Sequence, residues 1–264
     1  MRAEFHTDYG VIAYEIVEPD PPTALRGNVV LIHNFMSTAR SAWGSVTGDL
    51  TAQGYRVLLP DLPGHGQSTG YPPDFSHRAM AHQLADLIDA VAFHRPHLAG
   101  CSAGGMIALW MVHDARLAPT TLTLVSTTYT VNPATPGITA SLTPDTFRAG
   151  RSWLEATARL HDPHQGEGYF DETLLPGFRQ LTPETTIDLE RAALAAITLP
   201  TCVIHGDEDE IFPAELAQQL AAGLPNSELH LVAGQGHALI FRQPWKVSAI
   251  LQDFLARHPV AAAA

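Results

Sequence analysis

Seven short apolar runs alternate with amphipathic stretches along this chain, and that alternation constrains the fold more than any other feature. The runs fall at Val11–Val17, Asn28–His33, Tyr55–Pro60, His97–Gly100, Thr121–Ser126, Thr201–His205 and Glu228–Val232, each bounded by turn-forming residues. Their length and β-branched content mark them as strands. Between them the periodicity changes to helical. From Ala79 to Phe93, residues Met80, Leu84, Leu87, Ile88 and Val91 share one face. Trp43, Val46 and Leu50 repeat the pattern after Ser41, and Val247, Ile250, Leu251 and Phe254 repeat it after Pro244, a residue suited to a first helical turn. Strands separated by helices predict an α/β fold, a doubly wound and mostly parallel sheet with helices on both faces.

The alternation stops between residues 127 and 198. There Thr143-Pro144-Asp145 and Thr182-Pro183-Glu184 each read as an N-cap followed by a proline at the first helical position. Two or more helices are expected, the first carrying Trp153, Leu154 and Thr157, the second Ile187, Leu194 and Ile197. The turn-rich stretch between them, 161–168, is expected to be a mobile loop. At 264 residues the chain suits one core with an insertion. The core is read as 1–126 and 199–264, and 127–198 as a helical lid over the crevice where such sheets bind ligands.

Composition narrows the partners. The net charge of -12 comes from 27 acidic against 15 basic residues with no basic cluster, which argues against nucleic acid and mildly against anionic ligands. No run approaches the roughly 18 apolar residues of a membrane helix, the first residues lack a signal pattern, and two cysteines make no disulfide framework. A cytoplasmic protein acting on a small molecule is expected. The tail Ala261–Ala264 reads as frayed. Fourteen histidines invite a metal, yet the pairs His94/His97 and His161/His164 have no supporting ligands and no H-E-x-x-H occurs, so neither metal nor cofactor is expected.

One pentad, Gly100-Cys101-Ser102-Ala103-Gly104, lies where an apolar strand run meets a helical run. That is the setting in which a sharp strand-to-helix turn projects a serine hydroxyl. A serine is a poor nucleophile at neutral pH and needs a base, which in turn needs an acid to fix its tautomer. The base is read as His237, in the glycine-rich stretch Gly234-Gln235-Gly236-His237 after the last strand. The acid lies in Gly206-Asp207-Glu208-Asp209-Glu210-Ile211-Phe212-Pro213, where four carboxylates are candidates. Cys101, beside the serine, reads as a small packing residue.

Taken in order, His33-Asn34-Phe35, Asp61-Leu62-Pro63-Gly64-His65-Gly66-Gln67-Ser68, the serine pentad and the acid and histidine segments resemble the α/β-hydrolase superfamily over nearly the whole chain outside the lid. The resemblance selects Asp209 as the acid, between Gly206 and Pro213. It implies oxyanion donors at the amides of Ala103 and Phe35, and it makes Asp61 and His65 structural support. The family's usual glycine is replaced by Asn34, which tolerates unusual backbone geometry and is read first as a turn former, second as a group tuning the substrate. Asn34, Met36, Tyr129, Trp153 and Phe212 are the candidate substrate-binding residues, with Phe147, Tyr169 and Phe170 as further lid aromatics.

The expected activity is that of a serine hydrolase cleaving an ester, thioester or lactone of a small, largely apolar molecule through an acyl-enzyme. A serine rather than an aspartate at the elbow argues against dehalogenase and epoxide-hydrolase chemistry. Carbon–carbon bond hydrolysis, peracid formation and cofactor-free oxygenation reuse a similar site and stay open. So does a reading of another class, a ligand-binding or cyclisation scaffold with little hydrolysis.

Overall fold

Strands buried on both faces need continuous apolar runs, and the computed structural model, which describes residues 2–19, 24–135 and 149–260, forms its central strands from such runs. Among these residues the strands are β1 (Arg2–His6), β2 (Val11–Val17), β3 (Gly27–Ile32), β4 (Tyr55–Pro60), β5 (His97–Cys101), β6 (Thr121–Val125), β7 (Thr201–Gly206) and β8 (Ser227–Val232). Every residue of β5, β6 and β7 is buried. The strands form one sheet in the order β1-β2-β4-β3-β5-β6-β7-β8. Pairing is antiparallel from β1 to β2 and from β2 to β4, and parallel from there on, with Ile32 opposite Gly100 and Cys101 opposite Val125.

The strand period of two sorts side chains onto two cores. Val29 and Leu31 point to one face, where helices α1 (Ala39–Ala52) and α9 (Pro244–Arg257), the latter entered through the short α8 (Leu239–Arg242), bring Trp43, Val46, Leu50, Val247, Leu251 and Phe254. Val30 and Ile32 point to the other, packed by α2 (His77–Ala90), α3 (Ala103–His113) and α7 (Ala214–Gly223) through Leu84, Leu87, Ile107, Leu109 and Leu220. After β3 the chain goes outward through α1 to β4, then returns through α2 to β5 on β3's other side. That reversal opens a crevice at the C-terminal ends of β3 and β5, where the 33–37 turn and the serine pentad sit. Among the described residues no helix is long and apolar enough to cross a membrane.

The 127–198 region departs from expectation in two places. Helix α4 (Arg151–Gln165) runs through residues 161–165, where a mobile loop was expected, and carries Pro163 inside it. Tertiary hydrogen bonds outweigh the turn-like composition. Nδ1 of the fully buried His161 accepts from the Gly66 amide at 3.0 Å. The Gln165 amide donates to the carbonyls of Gly66 and Ser68, and Asp162 Oδ1 accepts from the Phe170 amide. The second departure is at Thr182-Pro183-Glu184, which forms a turn and starts no helix. The Thr186 hydroxyl and amide both bond to the Thr182 carbonyl. The chain then runs extended, with Ile187 and Leu189 bonded to Val131 and Tyr129, while Asp188 accepts from Thr130 Oγ1 and Asn132 Nδ2. Three β-branched residues in a row, Thr185-Thr186-Ile187, suit that conformation. Leu194 lies instead on the short α6 (Arg191–Leu194), and a π-turn at Phe170–Leu174 leads into α5 (Leu175–Arg179). The expected helix start at 143–145, Phe147 and the alanine tail lie outside the described residues.

These segments are fastened to the core. Tyr169 donates to the Gly64 carbonyl, Trp110 Nε1 to the Thr186 carbonyl, and the His77 amide to the Thr185 carbonyl. The Phe178 ring of α5 packs 5.4 Å from that of Phe35.

Candidate active site

The backbone at Ser102 is strained: its φ of 50° and ψ of -119° lie in a region non-glycine residues avoid, at a cost of about 1–3 kcal/mol. Close chain passage makes this turn possible. A Cβ on Gly100 would lie 2.2 Å from the Gly104 carbonyl oxygen, and one on Gly104 would lie 2.4 Å from that of Ile32. The Ser102 amide donates to the Val125 carbonyl, and the Ser102 carbonyl accepts from the Gly105 and Met106 amides and from Thr127 Oγ1 at 2.7 Å. These bonds hold the strained turn and direct the hydroxyl outward. Ala103 is the first residue of α3, so its amide is among those a helix start leaves without an intrahelical acceptor.

His237 arrives on the loop after β8, and its Nε2 lies 3.0 Å from Ser102 Oγ. Its Nδ1 lies 3.1 and 3.0 Å from the two oxygens of Asp209. A carboxylate only accepts, which assigns the proton to Nδ1 and leaves Nε2 to accept from the serine. Asp209 is fully buried at its side chain, and its Oδ1 also accepts the Ile211 and Phe212 amides at 2.9 and 2.8 Å. Burial works to raise its pKa, but the hydrogen bond and charge interaction with His237 and the bond from the Phe212 amide outweigh burial and hold the carboxyl below its ordinary value. The neighbouring carboxylates have other work: Asp207 accepts the Gly234 amide, and Glu210 Oε2 accepts the His237 amide at 3.0 Å.

On the opposite wall the 33–37 turn is built from buried groups. His33 Nε2 accepts the Leu62 amide at 2.8 Å while Nδ1 donates to the Asn34 carbonyl at 2.7 Å. The Asn34 side-chain oxygen accepts the Ser37 hydroxyl at 2.5 Å, so this end of its amide serves the turn. The Phe35 ring is 3% exposed among His65, Phe75 and Phe178, leaving the backbone of the residue as the part that can face the crevice. Met36 is buried in the same cluster.

The remaining aromatic candidates separate. Phe212 packs its ring 5.2 Å from that of His237. Tyr129 is buried and donates its hydroxyl to Gln219 Oε1 at 2.9 Å, a bond that ties the segment after β6 to α7. Trp153 is 41% exposed on α4. Sequence reasoning missed His205, which sits in an apolar strand with no local signal, and the anchoring roles of His161 and Gln165. Cys101 is buried, and burial pushes its thiol up to about 12, which suits packing.

Among the described residues one group has metal-like spacing, Cys202, Glu228 and His230 on β7 and β8. Arg257 already takes both Glu228 oxygens at 2.8 and 2.9 Å, and burial raises the Cys202 thiol well above its ordinary value. That donor set fits an ion pair.

The buried histidines around this wall set a pH limit on stability. His33, His65, His77 and His161 are each held down to about 3, first of all by burial, which disfavours the imidazolium. They stay neutral in the fold, whereas the unfolded chain takes up protons below about pH 6.5. Their contribution is therefore complete above pH 6.5 and is lost as pH falls from there toward 3. The urea midpoint is expected to drop steeply between about pH 6.5 and 4.5, above the range where carboxylates protonate. A flat midpoint across that window would contradict the assignment.

Comparisons with known proteins bear on this geometry. A model described as "Alpha/beta hydrolase family" matches residues 29–249. RutD of Pseudomonas savastanoi pv. phaseolicola, which carries the name of a carbamate hydrolase, is 31% identical over 81% of this chain and 88% of its own. The 2-hydroxymuconate semialdehyde hydrolase of Pseudomonas sp. strain CF600 is 29% identical over 85% of this chain and 84% of its own. The solved structure of the meta-cleavage product hydrolase CumD of Pseudomonas fluorescens IP01 superposes with a TM-score of 0.76 at 19% identity, covering 94% of this chain and 95% of that one, a likeness of fold.

Proposed function

The chain belongs to the α/β-hydrolase family, and from that premise we propose that it is a serine hydrolase acting on an ester, thioester or lactone of a small, largely apolar molecule. The observation that carries the proposal is the continuous path Ser102 Oγ, His237 Nε2, His237 Nδ1, Asp209 at 3.0 to 3.1 Å, set on a strained elbow. In this reading His237 takes the hydroxyl proton as Ser102 Oγ bonds to the carbonyl carbon, and Asp209 steadies the imidazolium. The carbonyl oxygen gains charge and is met by the Ala103 and Phe35 amides. His237 then returns the proton to the leaving oxygen or sulfur. Water deacylates Ser102 by the same route in reverse. Residues 149–198 act as a lid, fastened over the 61–68 loop through His161, Gln165 and Tyr169, with Met36 and Phe212 among the substrate contacts.

A second reading, hydrolysis of a carbon–carbon bond, is favoured by the named activity of the 29% identical 2-hydroxymuconate semialdehyde hydrolase. It uses the same serine and histidine but needs a substrate whose leaving carbon is protonated before departure. A panel of short-chain nitrophenyl esters, an acyl thioester, a γ-lactone and a vinylogous diketone separates the two. The first reading expects turnover of an oxygen or sulfur ester well above buffer, with the diketone inert. Turnover of the diketone alone would replace it with the second.

A further inference from the structure

His205, at the C-terminal end of β7, is a buried titratable group that the reaction above leaves unused. Its side chain is fully enclosed. Nε2 lies 2.7 Å from the Phe212 carbonyl oxygen and 3.3 Å from Asp209 Oδ2. Both neighbours only accept, which places a proton on Nε2, donating to Phe212. The buried Nδ1 has no hydrogen-bond partner among the described residues to receive a second proton's bond, so the ring is the neutral Nε2–H tautomer. The residue it holds is itself engaged twice in the site. The Phe212 amide donates to Asp209 Oδ1, and the Phe212 ring packs edge-on to His237.

We propose that His205 is a positioning residue for the acid and base: through Phe212 it fixes the carboxylate and the imidazole ring together, and its N–H dipole faces the carboxylate oxygen that the two amides leave free. The proposal rests on the serine-hydrolase reading and deepens it. Asp209 thus lies between two imidazoles, one that must gain a proton in each cycle and one that must not. Burial keeps His205 uncharged, lowering its pKa against the opposing pull of the Asp209 charge and the Phe212 carbonyl. The titratable groups facing it are Asp209 and His237, with Glu210 held on the His237 amide. On the flanking strands its neighbours are Leu231, opposite it on β8, and Ser126, bonded through Ile204.

The consequence is specific. Without this N–H the carboxylate directs more of its charge at His237, and the imidazolium becomes easier to form. His205→Phe is expected to lower kcat about tenfold with KM within about twofold, the signature of a group that acts in the transition state. The acid limb of its kcat/KM profile is expected to move to higher pH by about half a unit. Glutamine places an N–H near the position of Nε2, so His205→Gln is expected to recover kcat to within about threefold and return the limb. Both variants are compared as active-site-titrated, folded protein, which removes any fraction that fails to fold. A loss in His205→Phe that leaves the pH limb in place, or a glutamine variant no better than phenylalanine, would overturn the proposal for His205 alone. Failure of the wild type to react at Ser102 with a fluorophosphonate would overturn the serine-hydrolase reading and this proposal with it.

Discussion

Replacing Ser102 by alanine is expected to lower kcat toward a short-chain nitrophenyl ester by about ten-thousand-fold or more, with the thermal transition within a few degrees of wild type. The two halves of that expectation have separate causes. The turn is held by backbone bonds to Val125, Gly105, Met106 and Thr127, and none involves the hydroxyl. Alanine therefore keeps the elbow and removes only the atom that attacks. The chain carries 14 histidines, which hydrolyse activated esters weakly, so the comparison is made with the variant purified identically and its residual rate read against free imidazole. Turnover within tenfold of wild type would remove Ser102 from the mechanism.

The second large effect is at Asp209, where asparagine is expected to cost about ten-thousand-fold in kcat, comparable to the loss known for a triad histidine held in the wrong tautomer. The surroundings dictate how an asparagine would sit. Two amides, from Ile211 and Phe212, point at Oδ1 and demand an acceptor there, which fixes the side-chain oxygen in that place. The NH₂ then occupies the Oδ2 position, facing His237 Nδ1 and His205 Nε2. A donor at that point turns His237 to the tautomer with its proton on Nε2, which cannot accept from Ser102. The neighbouring Asp207 and Glu210 give no rescue, since each is bonded to the backbone of the histidine loop. Activity of Asp209→Asn within about a hundredfold of wild type, measured as kcat at saturating ester, would show that Asp209 does not set the tautomer.

What the amino-acid sequence reveals of this fold depends on whether local signals agree with tertiary demand. The central strands were legible because burial on both faces forces continuous apolar runs, and β5 to β7 are buried at every residue. Strand β1 was not, because Arg2-Ala3-Glu4-Phe5-His6 lies at the sheet edge with alternate residues exposed and has no apolar run to display. The 161–168 stretch has the composition of a loop, yet bonds joining His161 and Gln165 to the distant backbone of Gly66 and Ser68, with a local one from the Phe170 amide to Asp162, hold most of it helical or in a defined turn. Composition over eight residues cannot register partners ninety residues away. Thr182-Pro183-Glu184 shows the converse, a good helix start followed by a segment whose backbone pairs with 129–131 through Ile187 and Leu189.

The site divides the same way. Ser102 and His237 announce themselves through glycine-rich turns, because each must sit where two chain segments nearly touch. A Cβ on Gly206 would lie 2.1 Å from the Gln235 carbonyl oxygen, so the loops bearing Asp209 and His237 meet at a glycine. Choosing Asp209 among four carboxylates required resemblance; in the structure Asp209 is the one bonded to His237 Nδ1, while Asp207 and Glu210 accept backbone amides of the histidine loop. Asn34 follows its turn-forming reading in the bond from Ser37. Trp153 and Tyr129 were singled out by residue type alone, which does not tell an exposed helix face or a buried tie to α7 from a pocket wall. His205 left no trace, since a polar residue inside an apolar strand looks like any other tolerated exception.

The central claim is that Ser102 is an activated nucleophile, and covalent labelling tests it without knowledge of the substrate. Wild-type protein treated with a fluorophosphonate at neutral pH is expected to gain one phosphonyl group per chain, mapped by peptide mass spectrometry to Ser102, with the Ser102→Ala protein unlabelled under the same conditions. An unlabelled wild type, or a label mapped to any other residue, would contradict the account.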